Sequence, residues 1–488
     1  MNKLKIVSIS AELSPFSKSG GLADVARSLP KALSRLGHEI ICITPLYGQV
    51  IDKEKYDLKL LYKNVKVSLN SKEEVVVNYW KGYLLKNLPV YFIENTKYFS
   101  KKKTLYGSDR ENERFLIFDV AALKLISMLK FEADIVHCHD WQTGLIPFYL
   151  KTDFRYSKTL RNAKTIFTIH NLIFQLGMNW WEVPIEKKDF GRKKIPHITD
   201  PDIKYLNFAK RAILSADMVN TVSEQYREEI ITKNIGQDLH RVLKNREDRL
   251  FGIVNGIDYK AYNPLEDPGL HKKYDYQKSQ NKKENKLFVQ EKFGLTIDPD
   301  VPLICSTSRV TFQKGFELIL KIIWQLMELN LQMIVIGAGD KKYIKELQKV
   351  AKKYPNKLAV IPSHEENQKY ETLVYAGSDF FLLPSHHEPC GINQLIAMRY
   401  GCVPIVRKIG GLNDTVRNFN PTVKRGTGFS FAGFDKFSLY GAIIRALEVY
   451  KDKETWKDLV VRGMQESNSW EIPAKKYLAL YKKALKLK

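Results

Sequence analysis

Lys18-Ser19-Gly20-Gly21-Leu22-Ala23-Asp24-Val25 joins an apolar run at residues 5–10 to an amphipathic one at 21–36. A glycine pair recurs at Gly410-Gly411-Leu412-Asn413-Asp414-Thr415-Val416, soon after His387-Glu388-Pro389-Cys390-Gly391. Each pair follows a strand pattern and opens a helical one. The first N–H groups of a helix lack an intrahelical partner, and glycine lets an anion approach them closely. One such junction in each half of the chain predicts two nucleotide-type folds that share a cleft.

Working outward, strands are expected at 5–10, 39–45, 89–94, 135–139, 164–169 and 218–222, with helices at 21–36, 112–128 and 203–215. Continuous apolar strands alternating with helices indicate a parallel sheet covered on both faces. Residues 58–85 alternate like an antiparallel insertion. After Asn255-Gly256-Ile257-Asp258 comes a lysine-rich stretch at 265–286, and the rhythm then resumes. The second half has strands at 303–308, 331–336, 358–361, 379–383 and 403–406, and helices at 316–329, 341–353, 367–376, 393–400 and from 438 onward. The fold class is α/β, with doubly wound domains at 1–258 and 259–455 and C-terminal helices at 456–488 expected to pack back on the first domain. Ligands of such open sheets bind beyond the carboxyl ends of the strands. Polar and glycine residues gather there, at 18–21, 139–140, 170–171, 309–314, 337–339 and 388–391.

The 488 residues are 44% hydrophobic, enough for two or more large cores, and no apolar run reaches the roughly 18 residues of a membrane span. Lys3 and Lys5 precede a short apolar stretch, but Glu12 follows at once, so the segment reads as a first strand in a cytoplasmic protein. Cys42, Cys138, Cys305, Cys390 and Cys402 are scattered and odd in number, which argues against a disulfide framework or structural zinc. The net charge of +24 is dispersed in lysine doublets and triplets such as Lys101-Lys102-Lys103 and Lys352-Lys353. A nucleic-acid binder concentrates its cations on one face. The dispersed pattern fits a solvated surface that attracts anionic ligands in general.

Several motifs occur in a fixed order: the Lys18 to Val25 stretch, His139-Asp140-Trp141, Thr168-Ile169-His170-Asn171, Asn255-Gly256-Ile257-Asp258, Ser308-Arg309 with Lys314-Gly315, and Glu388-Pro389-Cys390-Gly391 with Asn393-Gln394. Ser469-Trp470-Glu471, Ala474-Lys475-Lys476-Tyr477 and Leu480-Tyr481 close the set. In this ordered set the chain resembles bacterial glycogen synthases and plant starch synthases over essentially its whole length. The resemblance implies a GT-B fold and retaining transfer of glucose from a sugar nucleotide, ADP-glucose above all, to the non-reducing end of an α-1,4-glucan. It implies no metal, and no cofactor is expected; the dispersed charge and the lack of an apolar span leave neither nucleic acid nor membrane as an expected partner.

The chemistry makes independent sense of the residues. Breaking a glycosyl–diphosphate bond puts negative charge on the leaving group, and without a metal fixed cations must meet it. Arg309 and Lys314, five apart at a strand end, suit that task. The resemblance adds Lys18 with the Gly20-Gly21 turn on the diphosphate or sugar, Glu388 as the essential acid at the glucosyl unit, and His170 facing the anomeric centre. It also implies donor-site roles for Asp24, Asn171, Asn255, Cys390, Gly391 and Gly411, a sugar or acceptor role for Asp140 beside Trp141, and secondary roles for Asp109 and Asn112 in Tyr106-Gly107-Ser108-Asp109. His137 and His139 share one face of a strand, a possible metal pair without evident further ligands, and His137 reads as structural.

Three positions depart from the family pattern. His386-His387 replaces an Arg-Phe pair, Tyr262 replaces a tryptophan, and Ser363 stands where an aromatic would stack on the nucleobase. Ile396 occupies the second glutamate position of the wider retaining pattern, as in this family's own variant. The Ser363 change leaves UDP-glucose open as donor, and a non-catalytic glucan-binding protein is the alternative from another class.

Overall fold

The computed structural model describes residues 3–101 and 104–487. Met1, and Lys102 and Lys103 of the lysine triplet, lie outside them. The chain divides into two compact units: Met1–Asn255 with Trp470–Lys488, and Gly256–Ser469.

The first unit is built on nine strands: β1 Lys5–Ser10, β2 Glu39–Pro45, β3 Lys59–Ser68, β4 Glu74–Leu85, β5 Leu88–Glu94, β6 Ile135–His139, β7 Lys164–Ile169, β8 Met218–Thr221 and β9 Leu250–Gly252. Their order is β3-β4-β5-β2-β1-β6-β7-β8-β9. From β5 to β9 every pairing is parallel, whereas β3 and β4 form the antiparallel insertion. Strands β1, β2, β6 and β7 are buried almost throughout, because helices cover both faces. Their register aligns Ser10 with His139, and His139 with Thr168. Asp140 and His170, one and two residues further on, therefore meet at one edge.

The second unit has six parallel strands: β10 Leu303–Thr307, β11 Gln332–Ile336, β12 Leu358–Ile361, β13 Phe380–Leu383, β14 Val403–Arg407 and β15 Phe429–Phe431, in the order β12-β11-β10-β13-β14-β15. Strand order reverses between β10 and β13, the place where such a sheet splays its loops.

Two expected helices are broken. The segment 203–215 becomes a 3-10 turn, Pro201–Tyr205, and a helix, Phe208–Ser215, which Asn207 starts afresh by accepting the Lys210 N–H at 2.8 Å. The segment 316–329 splits into Phe316–Leu320 and Ile323–Glu328, since Ile322 leaves the helical region at φ −129° while its side chain stays in the core. Strands β9 and β15, three residues each, are too short to show a period in sequence.

The unit boundaries also differ from 258/259 and 455/456. The helix Lys453–Gln465 belongs to the second core through Trp456, Leu459 and Val460. The chain rejoins the first core only from Trp470, through Ala474, Tyr477 and Tyr481 of the helix Glu471–Leu485. That helix is keyed to the sheet by buried polar bonds: Tyr481 Oη lies 2.8 Å from His137 Nδ1, and Asn220 Nδ2 donates to Tyr477 Oη at 3.0 Å. Among the described residues no helix is long and apolar enough to cross a membrane.

Truncating the buried Tyr481 ring to alanine should cost about 3–5 kcal/mol, the range for a deleted core aromatic. Tyr481→Phe keeps the volume but leaves His137 Nδ1 without its partner, for a smaller loss of about 1–3 kcal/mol. Urea unfolding of both variants checks the order, and equal losses would show that the hydroxyl contributes nothing.

Candidate active site

At the carboxyl edge of the first sheet, the glycine turn is organised by a residue that the sequence reading missed. Glu12, two residues beyond β1, is buried, and its Oε2 accepts from the N–H groups of Ser19 (2.6 Å) and Gly20 (3.1 Å). Its Oε1 accepts from Tyr106 Oη at 2.7 Å. Two amides of the turn, just ahead of the helix Gly21–Arg35, are thus taken by a protein carboxylate. Burial raises the Glu12 pKa, against the bonds from Tyr106, Ser19 and Gly20 that lower it. A carboxylate just past a buried strand and just before a glycine pair was the available signal. Lys18 is partly exposed and pairs with Asp24 at 2.8 Å, so these two predicted residues are brought together.

Beyond β6 and β7, His139 Nδ1 lies 3.1 Å from His170 Nε2, and His139 Nε2 lies 3.4 Å from Ser8 Oγ. The His137 ring stacks beside His139 at 4.1 Å and is held by Tyr481 and Thr168. Burial is the main cause that keeps all three histidines neutral. It pulls His139 down to about 3, and places His137 and His170 well below the usual imidazole value, with neighbouring rings adding to the shift.

Asp140 sits at φ +62°, ψ 177°, a region nearly closed to side-chain-bearing residues, at a cost of about 1–3 kcal/mol. Hydrogen bonds on its main chain and side chain hold the strain. Its N–H donates to Thr168 O (2.9 Å), its Oδ1 accepts from the His170 N–H (3.3 Å), and its carbonyl accepts from the Thr143 N–H (3.1 Å). Burial lifts its carboxyl to about 7, opposed by the N–H groups of His170, Asn171 and Trp141 and assisted by the Glu12 charge.

Asn112 is committed to the backbone. Its Nδ2 donates to Ile203 O (2.7 Å) and Leu206 O (3.0 Å), and its Oδ1 accepts from the Gly177 N–H (2.7 Å). It therefore fixes the loop after His170. Asn171 Oδ1 closes a local turn onto the Ile173 N–H, and Asp109 is exposed. Asn255 is buried, and its Oδ1 has no protein partner among the described residues.

In the second unit the loops after β10, β13 and β14 converge. Lys314 Nζ donates to Glu388 Oε2 at 2.5 Å, and Ser385 Oγ donates to the same oxygen at 3.2 Å. Arg309, just past β10, is exposed. Gly410 has φ +44°, and a Cβ there would lie 2.0 Å from the Glu388 carbonyl oxygen, so only glycine fits. Gly411 donates its N–H to the carbonyls of Glu388 and Pro389 at 3.2 Å each, again to protein instead of a ligand. Gln394 Nε2 spans the loops, donating to Cys390 O (3.2 Å), Gly391 O (2.9 Å) and Thr415 Oγ1 (3.1 Å).

His386 packs between the Phe312 and Phe434 rings at 4.8 Å, while its carbonyl accepts from Arg407 Nη1 at 2.6 Å. Burial is the largest cause that lowers His387 to about 4. Ser363 is a helix N-cap: its Oγ accepts the Glu366 N–H at 3.1 Å.

Two parallel-sheet units with chemistry at their carboxyl edges define a GT-B glycosyltransferase. A sequence model of the starch synthase catalytic domain matches residues 5–245, and one of glycosyl transferases group 1 matches 289–459. Glycogen synthases of Geotalea daltonii and Bacillus anthracis are each 40% identical, over 99% of this chain and 99% of those proteins. The solved catalytic domain of starch synthase IV from Arabidopsis thaliana, bound to ADP and acarbose, superposes with a TM-score of 0.88 at 32% identity over 100% of both chains. The chain belongs to the glycogen synthase and starch synthase family.

The three neutral histidines predict acid sensitivity. Unfolded, each binds a proton near pH 6.5; folded, each resists it, so their contribution is full above 6.5 and falls as pH drops below it, for His139 down to about 3. The loss should be about 1.4 kcal/mol per histidine per pH unit. Asp140 acts in the opposite sense, its contribution falling as pH rises from about 4 to about 7. Wild type should therefore lose its stability advantage over His139→Gln between pH 7 and 5 in urea titrations; a constant difference refutes a buried neutral His139.

Proposed function

We propose that this glycogen synthase family member transfers glucose from ADP-glucose to the non-reducing end of an α-1,4-glucan with retention. The reading is carried by the Lys314–Glu388 pair, with exposed Arg309 in the same loop as Lys314, at a strand-order reversal of the second unit. It is supported by a family relative solved with ADP and acarbose. Arg309 and Lys314 would meet the departing diphosphate, and Glu388 would hold the glucosyl unit and favour its cation-like transition state. Lys18, Gly20, Gly21, Asp24, His170, Asn171 and Asn255 would serve the sugar, diphosphate and acceptor, with Asp140 fixing the His170 backbone. Cys390, Gly391 and Gly411 shape the Glu388 loop. Catalysis is proposed without metal or cofactor, since the cations of this chain supply the charge. Five buried cysteines outside any disulfide fit the reducing cytoplasm.

A second reading of the donor rests on Ser363. Its hydroxyl serves the helix, so no aromatic face is presented at the position where the family pattern has one. Base selectivity between ADP-glucose and UDP-glucose should then be weak. Measuring ADP and UDP release with glycogen gives the ratio of kcat/KM values, and no turnover with either donor refutes the enzymatic reading. A base–aromatic stack is worth about 1–3 kcal/mol, so Ser363→Tyr should lower the donor KM by about five- to a hundredfold. An unchanged KM rejects a stacking position there.

Glu388→Gln should lower kcat by about a hundred- to a thousandfold. Arg309→Ala should cut turnover while shifting stability by no more than about 0.5 kcal/mol, because the side chain is exposed. Wild-type turnover in either variant rejects its assignment.

A further inference from the structure

The first unit carries a basic cavity of about 660 Å³ that the proposed reaction does not use. Its cations are Lys151, Arg192, Lys210, Arg246 and Arg249, and Phe190 forms one wall. Lys151 ends the helix Ile146–Lys151, Lys210 lies on the helix Phe208–Ser215, Arg246 and Arg249 precede β9, and Phe190 and Arg192 stand in the loop ahead of Phe208–Ser215. The cavity therefore lies towards the amino ends of β7, β8 and β9, the opposite edge of the sheet from His139 and His170.

The wall is built, not loose. Arg211 is buried and grips Asp189 through Nε (2.7 Å) and Nη2 (3.0 Å), while its Nη1 donates to Lys193 O (2.8 Å). Asp189 also accepts the Gly191 N–H at 2.8 Å. The turn 189–193 is thereby fixed from below, and it presents Phe190, 69% exposed, with exposed Arg192 beside it. The Phe190 ring is largely open to water, with Lys210 Nζ 5.7 Å from its centroid, so an apolar face and a cation stand side by side in the cavity.

The charges are poorly balanced. Among the described lining residues the single carboxylate is Asp248, 3.5 Å from Arg249 Nε, and Asp217 nearby reaches Lys151 only at 3.7 Å. Arg246 spends its guanidinium on the carbonyls of Ile213, Leu214 and Ala216, at 2.7–2.8 Å, which end the helix Phe208–Ser215. Burial is the main cause that lowers the proton affinity of Lys151, Lys210 and Arg246; neighbouring arginines add to it at Lys151 and Arg246, while Asp217 and Asp248 there, and Asp189 and Asp238 at Lys210, oppose it. A bound anion would relieve that repulsion.

We propose that this cavity binds a phosphate-bearing ring compound, a sugar phosphate or a nucleotide, with its phosphate on Lys210, Arg192 and Arg249 and its ring against Phe190.

Hydrogen exchange of the full chain, read in peptides spanning 188–216 and 240–250, tests this with glucose 6-phosphate, AMP, inorganic phosphate and glucose as separate probes. Slower exchange with glucose 6-phosphate assigns a sugar phosphate, and slower exchange with AMP a nucleotide. A Lys210→Ser/Arg249→Ser variant should weaken the effective probe at least about tenfold, as should raising ionic strength. Phe190→Ala should weaken it while leaving phosphate alone unaffected. No protection by any probe, equal protection by glucose or by inorganic phosphate, or protection that survives the double substitution would overturn the proposal. Exchange in second-unit peptides reports the proposed donor site separately, so failure of one reading is distinguishable from failure of the other.

Discussion

Backbone pressed against backbone holds the second unit's chemistry in place. The chain at Gly410 passes so close to the Glu388 carbonyl that no side chain fits, and Gly411 returns its N–H to the same loop. Gly315 meets the Pro384 carbonyl in the same way, 2.0 Å from where a Cβ would stand. The loops after β10, β13 and β14 thus become one rigid layer. Lys314 and Glu388, 74 residues apart in the chain, meet where that layer brings their loops together. Charges fixed in this way would need no rearrangement in the reaction proposed for them.

The first unit solves a different problem, the burial of polar groups without charging them. Three histidines lie in a stack that passes from Tyr481 through His137 and His139 to His170, with each contact made by a ring nitrogen or a ring face. Neutral imidazoles avoid the desolvation penalty that a protonated cluster would carry. The C-terminal helix takes part in the order of this site, since it supplies the tyrosine at the far end of the stack. Asp140 and Glu12 add two carboxyls whose proton affinity burial raises, and both are held by backbone N–H groups.

The two glycine turns that look alike in sequence differ in what they hold. One wraps a glutamate side chain from just beyond β1, and the other packs on the main chain of the Glu388 loop. A five-residue echo encodes a bend and the removal of Cβ atoms; it does not encode which acceptor the freed N–H groups find. The broken helix at 203–215 has a similar origin. Its apolar spacing reads as one helix, but the carbonyls of Ile203 and Leu206 bond Asn112 from 91 and 94 residues away, and Asn207 caps a new start.

Local pattern alone determined the alternation of strands and helices, the bounds of β1, β2, β6, β7 and β12 to the residue, and the candidate residues at the carboxyl edges. Those features depend on side-chain period and on the few residues that tight turns accept, and both are written locally. Only the tertiary structure decided that Glu12 governs the first glycine turn, that Asn112 is spent on backbone, that Ser363 is a cap, and that the chain leaves the second unit at Ser469. Each of these depends on which distant group arrives within hydrogen-bonding reach, and burial and strand register set that only once both sheets are assembled.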